Sequence, residues 1–453
     1  MKYDKFWVGG LFLVIGLWLF VIIATLYVFI IPQNMLINED IDLRIPTFFL
    51  MLFNLMYLLL GMFIFIVYLL KIDELKKSHI RIKSKKPSTN SLCSIIIPAR
   101  DEESVIKRAV LRCLGQTYYN IEVLVICHNS SDRTYEEAQV DDERVRAFDL
   151  KTKAAGKSIA LNYGVDQSRG NYILVLDADG VLENDFIASA IPAFDDDDYV
   201  AVQGRIFPIN RNYNFLTKMM AMEEDLWQEP VMTLRSVLGK RCPLLGTGFL
   251  IRKDILIEAG KFTNSLVDDH ELTCRLFMKG HRIMYLPYCR GYAEEPPSLE
   301  VMLRQRARWC RGFINCLNKK MAESTDIVGY FLWLLPIGSF FGSIIFFIIA
   351  YSSIYNFIFE YIPFSFTYLP IQLWFLVAGI VLSLDSLVLL KVHGLKKGLK
   401  YIAYLMLFIP FSQYGLVVLY KALFVKTWGT TKTVHGFMAK SSEEIPTIKQ
   451  TQK

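Results

Sequence analysis

The sequence predicts an α/β domain, built on a doubly wound and mostly parallel sheet, inserted between α-helical transmembrane segments. Three observations carry that reading. Of 453 residues 53% are hydrophobic, too apolar for one water-soluble globule, yet 21% are charged, too many for a bundle confined to lipid. The long uncharged runs are gathered toward the two ends, and between about Leu92 and Thr325 no run is long enough to cross a bilayer. In that middle stretch short apolar strands alternate with amphipathic helical segments, the order that builds parallel sheets.

Phe6 to Ile31 carries no charge, is too long for a signal-peptide core, and has no small-x-small cleavage site after it, so it is expected to stay as a span. An acidic connection, Asn38 to Asp42, leads to a second uncharged run, Ile45 to Leu70. The next segment holds Lys71, Lys76, Lys77, Arg81, Lys83, Lys85 and Lys86 against Asp73 and Glu74, which orients it to the cytoplasm. Pro87 to Ser91 then reads as a linker. Hydrophobic runs resume at Ile327–Phe359, divided by Pro336, and continue at Ile371–Leu390 and Tyr401–Tyr420.

The last run has Lys396, Lys397 and Lys400 before it and Lys421, Lys426 and Lys432 after it. Either it is re-entrant or broken near Pro410, Ser412 and Gln413 with its tail inside, the favoured reading, or the tail lies outside. The expected division is 1–86 (two transmembrane helices and a basic flank), 87–325 (a cytosolic α/β domain), 326–425 (transmembrane or interfacial helices) and 426–453 (a cytosolic loop and tail). The protein is thus expected to be multi-pass in the plasma membrane. Much of the net charge of +6 lies beside the hydrophobic runs, so no nucleic-acid partner is read from it. Eight cysteines without a Cys-x-x-Cys pair read as reduced, buried thiols.

Within the middle stretch, strands are expected at Cys93–Ile97, Ile121–Cys127 and Tyr172–Leu176, with helices at Glu103–Leu114 and Ser158–Val165. The third strand ends in Asp177-Ala178-Asp179. In an extended segment residues two apart point to one side, so both carboxylates can approach one hard cation at the carboxyl end of the strand. Taken alone, the pair reads more readily as an acidic turn after a strand, since such turns are common.

Other motifs follow in order. Ile95 to Glu103 is a strand closing in Pro98-Ala99-Arg100 and opening a helix with acids; Val125 to Thr134 contains Cys127-His128 at a strand end. Gly156-Lys157 opens a helix and puts a cation at its positive end, a setting suited to a diphosphate. Gly246-Thr247-Gly248 precedes Phe249 and Arg252, and Val267-Asp268-Asp269-His270-Glu271 concentrates carboxylates, as an ordinary helix N-terminus also would. Gln305-x-x-Arg308-Trp309 puts an amide, a cation and an aromatic ring on one helix face. Trp428 to Thr433 supplies hydroxyls and Lys432.

Together these motifs resemble the membrane-integrated processive members of glycosyltransferase family 2, the cellulose, hyaluronan and poly-N-acetylglucosamine synthases. The resemblance covers roughly Ser94 to Gly312 and recurs near Trp428. It implies a GT-A-like domain that uses a UDP-sugar with Mg²⁺ or Mn²⁺ and inverts the anomeric carbon. By the same resemblance Ala99, Arg100, Glu102 and His128 contact the nucleotide, and Lys157, Asp177, Arg308 and Lys432 the diphosphate. Asp177 and Asp179 hold the metal, and Asp269 is the catalytic base. Gly246, Thr247, Gly248, Gln305 and Trp309 contact the acceptor. Two departures stand out: many relatives have an Asp pair where this chain has Cys127-His128, and their Thr-Glu-Asp reads Val267-Asp268-Asp269. A neutral imidazole accepts a hydrogen bond through one nitrogen, less strongly than a carboxylate.

The implied function is elongation and translocation of a β-linked polysaccharide, with membrane lipids and accessory subunits as further partners. The alternatives are non-processive glycosylation of a membrane lipid and, more distantly, a non-catalytic channel or assembly subunit.

Overall fold

The computed structural model describes residues 44–84, 91–154, 156–196, 198–238, 242–317, 371–411 and 414–425. The chain divides into two compact units, Met1–Leu70 with Leu334–Leu416 and Lys71–Trp333 with Val417–Lys453. Helix α1 (Arg44–Lys83) starts in the first and ends in the second.

The second unit contains β1 (Cys93–Ala99), α2 (Ile106–Leu114), β2 (Ile121–His128), α3 (Thr134–Ala138), β3 (Val145–Leu150), α4 (Lys157–Gln167) and β4 (Tyr172–Val175). It continues through β5 (Val181–Leu182), α5 (Phe186–Ala190), β6 (Tyr199–Pro208), α6 (Phe215–Glu223), α7 (Glu229–Leu238), β7 (Phe249–Arg252), α8 (Lys253–Glu258), α9 (Asp268–Met278), β8 (Arg282–Ala293) and α10 (Leu299–Leu317). One sheet joins the strands in the order β3-β2-β1-β4-β7-β6-β8-β5.

Its central strands are apolar on both faces because both faces are covered. Ile95, Ile97, Val123, Val125 and Leu174 enter one core with Ile106 and Val110 of α2, while Ile96, Leu124, Ile126, Ile173 and Val175 enter the other with Leu161 and Val165 of α4. Gly164 lets α4 lie close, since a Cβ there would stand 2.6 Å from Ile96 Cγ2.

The sheet corrects the mostly parallel expectation. β3, β2, β1 and β4 are parallel neighbours, as are β6 and β8, but β7 runs antiparallel to both β4 and β6, and β5 antiparallel to β8. The cause is local. The chain enters β7 straight from the Gly246-Thr247-Gly248 turn at the end of β4, with Phe249 opposite Val175, and a strand that starts where its neighbour stops must run the other way.

At the amino ends of the parallel strands, the Glu122 carboxylate accepts bonds from Ser94 Oγ (2.6 Å), the Arg169 N–H (2.6 Å) and Arg146 Nη2 (2.7 Å). Ser94 Oγ in turn accepts from the Gly170 N–H at 2.9 Å. All eight cysteines are free and buried; Cys93 lies on β1, Cys113 on α2, Cys127 on β2, Cys274 on α9, Cys289 on β8, and Cys310 and Cys316 on α10.

In the first unit, α11 (Ile371–Phe411) is interrupted at Gly394, whose φ of 72° lies outside the helical range, and α12 (Gly415–Ala422) begins just after it and runs into the second unit. The basic stretch Lys391–Lys400 is therefore helical on both sides of a break at Gly394. Among the described residues no helix is long and apolar enough to cross a membrane. The expected runs 6–31 and 327–359 lie outside the described residues, as do the side chains of α1 before Leu59 and of α11 before Ile380.

Candidate active site

The carboxyl ends of β1, β2 and β4 meet the starts of β7, α4 and α9 in one charged cluster. Asp177, two residues beyond β4, pairs through Oδ1 with Lys157 Nζ at 2.5 Å. Lys157 is the first residue of α4, and its Nζ also donates to the Gly246 carbonyl at 3.0 Å. The Asp177 N–H donates to Thr247 Oγ1 at 3.0 Å. Gly246 takes a φ of +79°, and a Cβ there would stand 3.1 Å from Asp269 Oδ2, so only glycine lets this turn lie against the Asp269 carboxyl without strain. Asp268 and Asp269 open α9, where the helix dipole favours negative charge. Arg308 of α10 donates from Nη1 to the Leu266 carbonyl at 2.6 Å, just ahead of them.

Carboxylates crowd this cluster. Burial and then the neighbouring Asp268 push Asp269 up to about 6, with Lys157 and Arg308 pulling the other way. Asp268 is also raised, by burial and, beyond the opposing pull of Lys157, by Asp177. Burial lowers Lys157, but Asp177, Asp268 and Asp269 together outweigh it and hold the ammonium above its usual range. Arg308 is held below its usual value by burial despite the same three acids. A carboxyl poised near neutrality beside two cations has the character of a general base next to an anion site.

A second group forms at the ends of β1 and β2. Asp101 Oδ1 accepts from the Ser131 N–H (2.8 Å) and Oγ (2.9 Å), Thr134 Oγ1 accepts from the Glu102 N–H (2.7 Å), and Asp132 Oδ2 accepts from the Glu103 N–H (3.1 Å). The two loops are thus laced together, fixing Ala99, buried at the end of β1, the exposed Arg100 and the half-buried Glu102.

His128, the last residue of β2, is buried, and its Nε2 lies 2.8 Å from Thr152 Oγ1. That hydroxyl donates to the Ala154 carbonyl (2.8 Å), and the Asn129 amide nitrogen stands 3.4 Å from the same Nε2, so which of the two neighbours shares a proton with the ring depends on its tautomer. Burial holds the imidazole below its usual value, hence neutral at neutral pH, against the raising effect of the Gly156 and Ala154 carbonyls. Asn129, with φ of 54°, clasps the same loop by donating to the Thr152 carbonyl and accepting from its N–H, both at 2.9 Å. His128 and Asn129 therefore shape the approach to Gly156-Lys157.

Lys157, Asp177, Gly246, Thr247, Asp269 and Arg308 come together as the motifs suggested. Gly248 closes the turn, its N–H donating to the Val175 carbonyl at 2.9 Å. Gln305 and Trp309 share α10 with Arg308; Gln305 Oε1 is buried without a hydrogen-bond partner among the described residues, and Trp309 packs on Val267, Cys274 and Cys316. Lys432 lies outside the described residues. Asp268 was not singled out as a site residue, although its place beside Asp269 was the available signal; Asn129 lies within the Val125–Thr134 motif without a role read for it, and Thr152 belongs to no motif.

For a divalent cation, Asp177 and Asp179 offer hard oxygen donors, and the surplus of carboxylates suits positive charge. Among the described residues no three His, Cys, Asp or Glu side chains converge as a cage.

Residues 90–312 match the family model described as Glycosyltransferase like family 2. This segment is a family 2 glycosyltransferase domain. The glycosyltransferase domain is 33% identical over 229 residues to a probable glycosyltransferase, YdaM, of Bacillus subtilis, covering 48% of this chain and 54% of that one. It is 31% identical over 228 residues to the β-monoglucosyldiacylglycerol synthase of Trichormus variabilis, covering 48% of each. To the poly-β-1,6-N-acetyl-D-glucosamine synthase of Staphylococcus aureus it is 24% identical over 235 residues, covering 51% of this chain and 57% of that one. The chain thus spans about half the length of the curated relatives it matches. Among solved structures, the mannosyltransferase PcManGT of Pyrobaculum calidifontis, in complex with GDP-Man and Mn²⁺, aligns over 83% of this chain and 98% of its own, at TM-score 0.47 and 15% identity.

Proposed function

We propose that the protein is an inverting, membrane-associated glycosyltransferase that moves a hexosyl or N-acetylhexosaminyl group from a UDP-sugar to a hydroxyl of an acceptor held at the membrane. The observation that carries the reading is Asp269: a carboxyl raised to about 6, against the Gly246 turn, with Lys157 and Arg308 acting on it from the same cluster. Asp269 takes the proton of the acceptor hydroxyl as that oxygen attacks the anomeric carbon, and the sugar–phosphate bond breaks on the opposite side. Lys157, at the positive end of α4, and Arg308 bind the departing UDP diphosphate. Asp177 and Asp179 would hold Mg²⁺ or Mn²⁺, which supplies charge to offset that of the leaving group. Gln305 and Trp309 orient the acceptor, and the laced loops around Ala99, Arg100 and Glu102, with His128 behind them, shape the nucleotide pocket.

Two acceptors are carried forward. The greater identity to the glucosyldiacylglycerol synthase favours a membrane lipid, while the poly-N-acetylglucosamine synthase and the Gln305-x-x-Arg308-Trp309 motif favour repeated addition to a growing polysaccharide. An uncharged run such as Phe6–Ile31 would anchor the protein in the plasma membrane with the glycosyltransferase domain in the cytoplasm, where UDP-sugars are made.

The test is UDP release by purified full-length protein with Mg²⁺ or Mn²⁺ across a panel of UDP-sugars, with the labelled product sized. Donor-specific release that is lost in Asp269→Asn supports the reading. A short, solvent-extractable product selects the lipid acceptor, and a long, hydrolase-sensitive one the polymer. No release with any donor would sink it.

A further inference from the structure

The face of α10 that carries Gln305, Arg308 and Trp309 has a neighbour for which the proposed reaction has no role. The Arg306 guanidinium stands over the Trp309 ring, 4.6 Å from its centroid, and its Nη2 pairs with Glu223 Oε2 at 3.0 Å. Glu223 is the last residue of α6, and the five residues after it, Glu224–Gln228, form a π-helical turn. Widened turns of this kind re-aim side chains and recur at functional sites.

Asp225 in the turn and Glu229 just after it are tied elsewhere. Asp225, 1% exposed, meets Arg205 (3.3 Å) and Arg211 (2.7 Å), while Glu229, fully buried, meets Arg205 (3.0 Å) and the Tyr285 hydroxyl (2.6 Å). Arg205 belongs to β6 and Tyr285 to β8, so the turn is riveted to the sheet at both ends. The Arg306 charge also acts on the buried carboxyls of Glu224 and Glu295, both of which burial raises.

We propose that Glu223 and Arg306 are positioning residues that fix the plane of the Trp309 indole and refer it, through the π-helical turn, to the strands that carry the rest of the site. The proposal rests on Trp309 being the acceptor platform. A bare tryptophan on a helix surface can tilt about two side-chain torsions, whereas one capped by a guanidinium that is itself ion-paired is held in register.

The test separates contact from chemistry. In full-length protein labelled with 5-fluorotryptophan, the Trp309 ¹⁹F resonance is assigned by its loss in Trp309→Phe. Glu223→Gln is expected to shift or broaden that resonance and leave in place those of the other tryptophans outside the Glu224–Gln228 turn. Arg306→Lys, which keeps the ion pair, is expected to disturb it less than Arg306→Leu.

In nanodiscs containing dioleoylglycerol as acceptor, Glu223→Gln is expected to raise the acceptor KM about fivefold, with kcat and the UDP Kd held within about twofold. An unmoved Trp309 resonance, changes spread over all the tryptophans, or an equal loss in kcat and UDP binding would each overturn the proposal. A shifted resonance in a protein that turns over no donor would support the contact and overturn the functional reading beneath it.

Discussion

The two ends of the parallel strands treat buried carboxylates in opposite ways. At the amino ends burial pushes Glu122 up, but the bonds from Ser94, the Arg169 N–H and Arg146 outweigh it and hold the carboxyl below its usual range. At the carboxyl ends, among the groups that act on Asp269, Asp268 raises it further while Lys157 and Arg308 oppose only in part, and the carboxyl stays raised. A network whose donors match its acceptors stabilises the fold, and one left short of positive charge is prepared to receive a ligand or a proton. Scaffold and chemistry are thus divided along the strands rather than between subdomains.

Breaking the carboxyl end gives the largest expected effect. Asp269→Asn should lower UDP release by about a thousandfold, as loss of a general base does. In the wild type, turnover should fall about tenfold per pH unit below about 6, because the base must be ionised. The sign for stability is the reverse. A carboxyl raised by the fold destabilises it wherever it is ionised, so Asp269→Asn should raise Tm at pH 8, and that gain should vanish below about pH 4.

At the amino end Glu122→Ala should cost about 3 kcal/mol in chemical denaturation, since it leaves Ser94, Arg146 and the Arg169 N–H without their acceptor, while UDP binding by the folded protein is unchanged. Glu122 has a lowered folded value, so its contribution is present above its unfolded pKa and is lost as pH falls through the folded one. Lys157→Met sharpens the contrast at the site and should weaken UDP binding about tenfold by calorimetry. The smallest effect belongs to Thr152→Val, which removes the hydroxyl's two hydrogen bonds, to His128 and to the Ala154 carbonyl, and should weaken UDP binding about two- to threefold.

Much of the carboxyl end was legible because its residues are local in sequence. Asp177 follows an apolar strand, Gly156-Lys157 opens a helix, and Asp268-Asp269 opens another, so each motif announces both its chemistry and its place. The amino end was not legible. Ser94, Glu122 and Arg146 are scattered polar residues whose meeting depends on the register of three parallel strands. Antiparallel β7 was hidden for a related reason, since four residues, Phe249–Arg252, read alike in either direction and only the neighbouring turn decides. The contacts around the π-helical turn were not legible either, because Arg205, Tyr285 and Arg306 lie far from it along the chain.

The buried cysteines give the molecule a set of internal clocks. Burial pushes the Cys113 and Cys127 thiols up to about 12, so neither is a ready nucleophile while its element stays closed. Alkylation by a small reagent must then wait for local opening, and its rate at each position measures how often that element breathes. Cys93 and Cys127 would time the central strands, and Cys274 and Cys310 the helices α9 and α10 that carry Asp269 and Arg308. A nucleotide that binds at the carboxyl ends should slow the second pair more than the first.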